Sequence, residues 1–188
     1  ADKIRINPGN IGGADRVRAV ANACNERKIP IRVGVNSGSV ERELLARFGG
    51  PTAEAMVESA ARHLKMLEEA DFENTVLSLK SSDLKTMVAA YRLAAERVDC
   101  PLHLGVTEAG TERQGVVKSS IGIGSLLLDG IGDTIRVSLT ADPVQEIAAA
   151  KDILRALGVK GCGAQIVSCP TCGRTRIDLI GLAHQVEE

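Results

Sequence analysis

The chain has 188 residues, 44% of them hydrophobic and 25% charged, with a formal net charge of −1. That is the composition of a globular domain with a sizeable core, and the near-zero charge argues against a nucleic-acid binder. With 2% aromatic residues and no tryptophan there is no platform on which single-stranded bases could stack.

The N-terminus has no signal-peptide pattern, no apolar run nears the roughly 20 residues that span a bilayer, and five cysteines make no even disulfide framework. A cytoplasmic location, with no membrane and no nucleic acid among the partners, is the expectation. The chain opens without methionine, inside a strand pattern at 3–7, so a preceding segment is expected to cover that strand's edge.

Apolar periodicity then predicts a helix at 14–27, a strand at 30–36, helices at 41–47 and 52–70, and a strand at 75–80. A helix at 83–97, a strand at 101–107, a helix at 114–129, a strand at 134–139 and a helix at 142–157 follow. Thr52 and Asp83 are placed to cap their helices, Asp142-Pro143 opens the last of these, and Gly158 is placed to end it. Asn7-Pro8-Gly9-Asn10 reads as a turn on the rim of the strand ends. Residues 158–188 change character: a linker and strand, a Cys-x-x-Cys turn, then an amphipathic helix at 175–187.

Strands separated by helices should be parallel, with their C-terminal ends on one side, where α/β folds bind ligands. Five βα units are too few for a closed eightfold barrel. A partial barrel and a doubly wound sheet are the candidates, and the partial barrel is favoured because polar strand ends recur on most strands. Side chains two apart share a face. Arg5 with Asn7, Arg32 with Asn36, Ser78 with Lys80, Gly105 with Thr107, and Arg136 with Ser138 are then same-face pairs. Four cations converging beside hydroxyls and carboxamides describe a pocket for a strongly anionic small molecule, and a diphosphate fits that supply. Lys118, read as lying near a helix start, is a candidate fifth cation. Glu108 is the carboxylate at these strand ends, a candidate acid or base, hydroxyl ligand or counter-ion. His103, deep in its strand, reads as a satisfied core histidine, and Cys24 and Cys100 as buried apolar residues.

Cys169-Pro170-Thr171-Cys172 lets two thiolates reach one metal. Two ligands of an iron–sulfur cluster, half of a zinc site and a thiol–disulfide redox pair all fit the pattern. Cys162 could be recruited from upstream. A cluster-free phosphate-binding module is the further alternative for the whole chain.

Five segments together resemble one family. They are Arg-Ile-Asn-Pro-Gly-Asn-Ile-Gly (5–12), Pro-Ile-Arg-Val-Gly-Val-Asn-Ser-Gly-Ser (30–39), Pro-Leu-His-Leu-Gly-Val-Thr-Glu-Ala-Gly (101–110), Gly-Ile-Gly-Asp-Thr-Ile-Arg-Val-Ser-Leu (130–139) and Cys-Pro-Thr-Cys-Gly-Arg (169–174). The chain is similar to the 4-hydroxy-3-methylbut-2-en-1-yl diphosphate synthases, reductive iron–sulfur enzymes of non-mevalonate isoprenoid biosynthesis. The resemblance implies the C-terminal five βα units of a TIM barrel at 1–160, then the truncated beginning of a small α/β iron–sulfur domain at 161–188. It implies reductive opening of 2-C-methyl-D-erythritol 2,4-cyclodiphosphate with two electrons from ferredoxin or flavodoxin, by an enzyme that is a homodimer. Arg5, Asn7, Arg32, Asn36, Lys80, Thr107, Arg136 and Ser138 would then contact the substrate, and Glu108 would hold its hydroxyl or supply a proton. Cys169 and Cys172 would be two of three cysteine ligands of a [4Fe–4S] cluster. The third cysteine and three further barrel strands are expected outside this segment, which alone would be inactive.

Overall fold

The computed structural model describes residues 1–159, 166–169 and 172–187. Five parallel strands follow one another in chain order. β1 (Ile4–Ile6), β2 (Ile31–Asn36) and β3 (Thr75–Lys80) form one ladder, in register at Arg5 with Arg32 and at Asn36 with Lys80. β4 (His103–Leu104) pairs with β5 (Thr134–Ile135), and a single bridge from Leu77 to Leu102 joins the two groups. The order never reverses. Among the described residues, no helix is long and apolar enough to cross a membrane.

The described residues form eight α-helices. They are α1 (Pro8–Ile11), α2 (Ala14–Arg27), α3 (Arg42–Phe48), α4 (Ala53–Glu68), α5 (Leu84–Ala95), α6 (Glu112–Leu128), α7 (Pro143–Ala156) and α8 (Leu179–Glu187). α2 packs on α4, α4 on α5, α5 on α6 and α6 on α7, so the long helices succeed each other as the strands do. A doubly wound sheet would put successive helices on both faces. Ile31, Val33, Val35, Leu77 and Leu79 are buried with Met56, Met87, Tyr91 and Ile123 of the helices. The alternate positions, Arg32, Gly34, Asn36, Ser78 and Lys80, are left to the other face.

Local chemistry sets the helix ends. Thr52 Oγ1 accepts the Ala55 N–H at 3.2 Å and Asp83 Oδ2 the Thr86 N–H at 2.8 Å. Pro143 occupies the first turn of α7, and Asp142 Oδ1 accepts the Val144 N–H at 2.8 Å. At the other end, Gly158 at φ +71° carries the paired terminal bonds Gly158 N–H to Arg155 O (2.9 Å) and Val159 N–H to Leu154 O (3.0 Å). Asp83→Ala is expected to lower stability by about 1 kcal/mol, the usual loss of an N-cap, read as a shifted urea midpoint with unchanged slope.

Several expectations need correction. Residues 7–10 are no plain turn: Pro8 starts the short helix α1, and Asn7 Oδ1 caps it by accepting from Gly9 N–H at 3.2 Å. α6 begins at Glu112, which places Lys118 inside the helix, away from its start. The strands expected at 101–107 and 134–139 keep regular pairing over two residues each. On its other side the first meets β3 in a single bridge, and there the Tyr91 hydroxyl stands between Leu79 N–H and His103 O. The C-terminal helix starts at Leu179, four residues later than expected at 175. Residues 166–169 have no regular structure, while most of the expected linker and strand, with Cys162 and the expected boundary at 160–161, lies outside the described residues.

Candidate anion-binding site

At the C-terminal ends of the strands, a cavity of about 220 Å³ is lined by Arg5, Arg32, Asn36, Lys80, Val106, Thr107, Arg136 and Ser138. Arg5 and Arg32 come from within β1 and β2, Asn36 and Lys80 are the last residues of β2 and β3, and the rest lie just beyond β4 and β5. The ladder register brings Arg5 beside Arg32 and Asn36 beside Lys80. Two inward glycines open the room. A Cβ on Gly34 would run into Arg5 Nε, and Arg5 Nη2 donates to the Gly34 carbonyl at 3.0 Å. A Cβ on Gly105 would stand 3.1 Å from Lys80 Nζ and 2.9 Å from the Arg136 carbonyl. Arg32 is half-buried and held by Nη1 donating to the buried Ser78 hydroxyl at 2.8 Å.

The cations repel one another across this space. Burial first, then Arg136, Arg32 and Arg5, bring the Lys80 ammonium down to about 7, with Glu146 opposing weakly. Lys80 is only 6% exposed, so the desolvation is real. Arg32 is lowered by burial and by Arg5 and Arg136. Among the described residues, none of the ion pairs involves Arg5, Arg32, Lys80 or Arg136. Four cationic side chains in one cavity without an ion-paired carboxylate among the described residues make it a candidate site for an anion. His103, below them, is half-buried, and its Nδ1 lies 2.8 Å from Thr134 Oγ1. Burial and the charges of Arg32, Lys80, Lys3 and Arg136 push it to about 4, so it is neutral at pH 7.

Asn7 and Glu108 are not in that cavity. They border a second one of about 350 Å³, with Asn10, Ser37, Gly38, Ser39 and Ser82, which shares Asn36 and Thr107 with the first. Asn7 Oδ1 also accepts from Ser39 Oγ at 3.1 Å. Glu108 is exposed, with a left-handed backbone at φ +53°, and stands at the outer rim. Lys118 lines neither cavity. The hydroxyl rim at Ser37, Ser39 and Ser82 escaped the sequence reading. Its only signal was small polar residues directly after strands β2 and β3.

Two larger clefts, about 390 and 530 Å³, lie around Val98–Leu102 at the N-terminal ends of the strands. Their charged residues mix Lys65 and Arg97 with Glu68, Glu73, Asp99 and Asp133, so they concentrate no charge of one sign. Cys100 is half-buried there, while Cys24 is buried in the core.

Cys169 and Cys172 are both exposed. Hydrogen bonds from the Arg174 backbone and side chain, then from Thr175, lower the Cys172 thiol below its ordinary value. Two exposed thiols at this spacing suit a thiophilic metal, but among the described residues no group of three or more His, Cys, Asp or Glu could hold one. The donor set fits half the ligands of a four-coordinate site, and Cys162 lies outside the described residues.

Fold and cavity together describe an α/β protein of successive parallel βα units whose strand ends gather four cationic side chains. Residues 1–151 match the family model described as the GcpE TIM-barrel domain, and the chain belongs to that family. It is 62% identical over 187 residues to a protein of Fusobacterium nucleatum subsp. nucleatum named 4-hydroxy-3-methylbut-2-en-1-yl diphosphate synthase (flavodoxin), covering 100% of this chain and 53% of that protein. Proteins of the same name from Clostridium perfringens and Maridesulfovibrio salexigens are 60% and 58% identical, covering 98% and 100% of this chain and 53% and 52% of theirs. The chain spans about half the length of the curated relatives it matches.

Proposed function

We propose that this chain is the carboxyl-terminal five βα units of a TIM barrel, at 1–160, with the beginning of an iron–sulfur domain at 161–188. Within the whole enzyme it would serve the reductive opening of 2-C-methyl-D-erythritol 2,4-cyclodiphosphate to 4-hydroxy-3-methylbut-2-enyl diphosphate, a cytoplasmic step of isoprenoid biosynthesis. The single observation that carries the reading is the convergence of Arg5, Arg32, Lys80 and Arg136 on one cavity, with none of them in an ion pair among the described residues. The relatives' names give the product, 4-hydroxy-3-methylbut-2-en-1-yl diphosphate, and support flavodoxin as the electron donor, with ferredoxin as the chemical alternative.

The residues divide the work by chemistry. Arg5, Arg32 and Arg136 give forked, charge-assisted hydrogen bonds to phosphoryl oxygens, and Lys80 a point charge. Asn36, Thr107 and Ser138 fix the orientation of that anion. Asn7 and Glu108, on the neighbouring rim, address the polyol portion, where Glu108 holds a hydroxyl or delivers a proton. Cys169 and Cys172 would hold a [4Fe–4S] cluster with ligands from outside this segment. When bound, that cluster would pass on the donor's two electrons, one at a time. Apart from any proton delivered by Glu108, the site's own residues then need only grip and orient the substrate. A homodimer is the expected assembly of the whole enzyme.

Inorganic pyrophosphate is the probe for the anion site. Calorimetry on this chain should show binding that weakens steeply as salt rises. No binding at low ionic strength would overturn the reading. Anaerobic reconstitution of the whole enzyme with iron and sulfide, with and without Cys169→Ser, separates the cluster enzyme from a cluster-free phosphate module.

A further inference from the structure

Leu77 on β3 donates its N–H to the Pro101 carbonyl at 2.9 Å, a parallel-ladder bond with Leu77 bridged to Leu102. A parallel ladder repeats every two residues, so the next bond in this direction should run from Leu79 N–H to His103 O. The Tyr91 hydroxyl of α5 takes its place: it accepts from Leu79 N–H at 3.0 Å and donates to His103 O at 2.6 Å. Two hydrogen bonds through an oxygen stand where one of about 2.9 Å would close the seam. Further along, Thr107 N–H points to Ser81 O at 3.4 Å, in the same register. The strands are therefore parted locally without slipping.

The gap opens beside Lys80. That side chain follows Leu79 directly and leaves β3 on the opposite face from Tyr91. Its ammonium lies against Gly105 of the neighbouring segment, the position where any Cβ would crowd it. Tyr91 is fully buried, and its ring packs in the core while its hydroxyl does the spacing. The burial also pushes the phenol to a high value, so it stays protonated and able to donate.

We propose that Tyr91 is a positioning residue of the anion site: its hydroxyl, built into the β3–β4 seam, parts the strands so that the Lys80 ammonium stands over Gly105 and faces Arg136. Without the hydroxyl, Leu79 N–H and His103 O pair directly, Gly105 moves toward Lys80 Nζ, and the ammonium is driven out toward solvent. The effect on ligand binding rests on the anion-site reading; the geometry of Lys80 does not.

The test is Tyr91→Phe in this chain, with the Lys80 ε-methylene titrated by carbon-detected NMR and pyrophosphate binding followed by calorimetry. Lys80 should titrate about one pH unit or more higher than in the parent, since it regains water. Pyrophosphate should bind roughly fivefold to tenfold more weakly, through loss of the placed charge. A purely structural tyrosine would lower the unfolding midpoint and leave the Lys80 titration where it was. A folded Tyr91→Phe with the parent's Lys80 titration overturns the proposal. Gly105→Ala narrows the same seam with the phenol in place, and it should raise the Lys80 titration as well. An unchanged value there also overturns it. Failure of the parent chain to bind pyrophosphate would remove the anion-site reading while leaving the Lys80 measurement to decide the role of Tyr91.

Discussion

Lys80→Met is expected to stabilise the fold at pH 7 and, at the same time, to remove most of its affinity for pyrophosphate. The lysine is 6% exposed and brought down from 10.5 to about 7, chiefly by burial and then by Arg136, Arg32 and Arg5. In the unfolded chain it titrates near its ordinary value. Between pH 7 and 10.5 the unfolded state therefore binds more protons, and stability rises with pH across that window. Below it both states carry the charge, and the folded state bears the full penalty of burying it. Methionine keeps the length and apolar stem without the charge, so the gain at neutral pH should be roughly 2–4 kcal/mol. Urea unfolding of both proteins at several pH values checks this. The methionine variant's advantage should be constant at acid pH and shrink as pH rises above 7. An advantage independent of pH would show that Lys80 is not a buried cation. Binding should show the same proton from the other side: at pH 8 the parent should take up close to one more proton with pyrophosphate than Lys80→Met, read from calorimetry in buffers of different ionisation enthalpy.

The order of elements was legible because each carries a local signal that its surroundings do not override. Thr52, Asp83 and Asp142-Pro143 cap where they stand in the sequence, since a side-chain oxygen two or three residues before an unpaired N–H needs no tertiary help. The lengths of β4 and β5 were not legible. Apolar alternation at 101–107 and 134–139 describes an extended chain, but ladder bonds depend on the neighbouring strand. Tyr91, twelve residues before His103 in the sequence and inside the helix expected at 83–97, interrupts that pairing. The helix in residues 8–11 was hidden because Asn-Pro-Gly-Asn has the same composition as a turn. Its cap is completed by Ser39, thirty-two residues away.

The cation set was legible for a geometric reason: strand parity fixes the face, and parallel order fixes the end. Distance along the pocket was not. Asn7 has Arg5's parity but lies two residues further along, just past β1, where it caps α1, so it borders the second cavity. Glu108 follows Thr107 in the sequence, but its left-handed backbone carries it to the exposed rim. Gly105 was placed by parity alone, and Gly34 gave no signal. Their meaning depends on which long side chain crosses above them, Arg5 in one case and Lys80 in the other.

Arg32→Ala should cost about 10- to 100-fold in pyrophosphate affinity, and a comparable factor in kcat/KM of the whole enzyme, the range of a charge-assisted hydrogen-bonding group. The arginine is aimed by Ser78, whose hydroxyl accepts from Nη1 at 2.8 Å and leaves the rest of the fork to the cavity. Arg32→Lys should recover little, because an ammonium cannot hold Ser78 and grip two phosphoryl oxygens together. The loss should also depend on pH. Arg32 is one of the charges holding Lys80 near 7, so its removal lets Lys80 protonate more readily and offsets part of the damage at pH 8. At pH 6 Lys80 is already charged, and nothing is offset. In a Lys80→Met background the offset is absent at either pH, and Arg32→Ala should cost up to about tenfold more there at pH 8 than in the parent. The four proteins of this cycle, measured at pH 6 and pH 8, give the coupling directly. A coupling of the same size at both pH values would mean that Arg32 and Lys80 do not share one cavity's field.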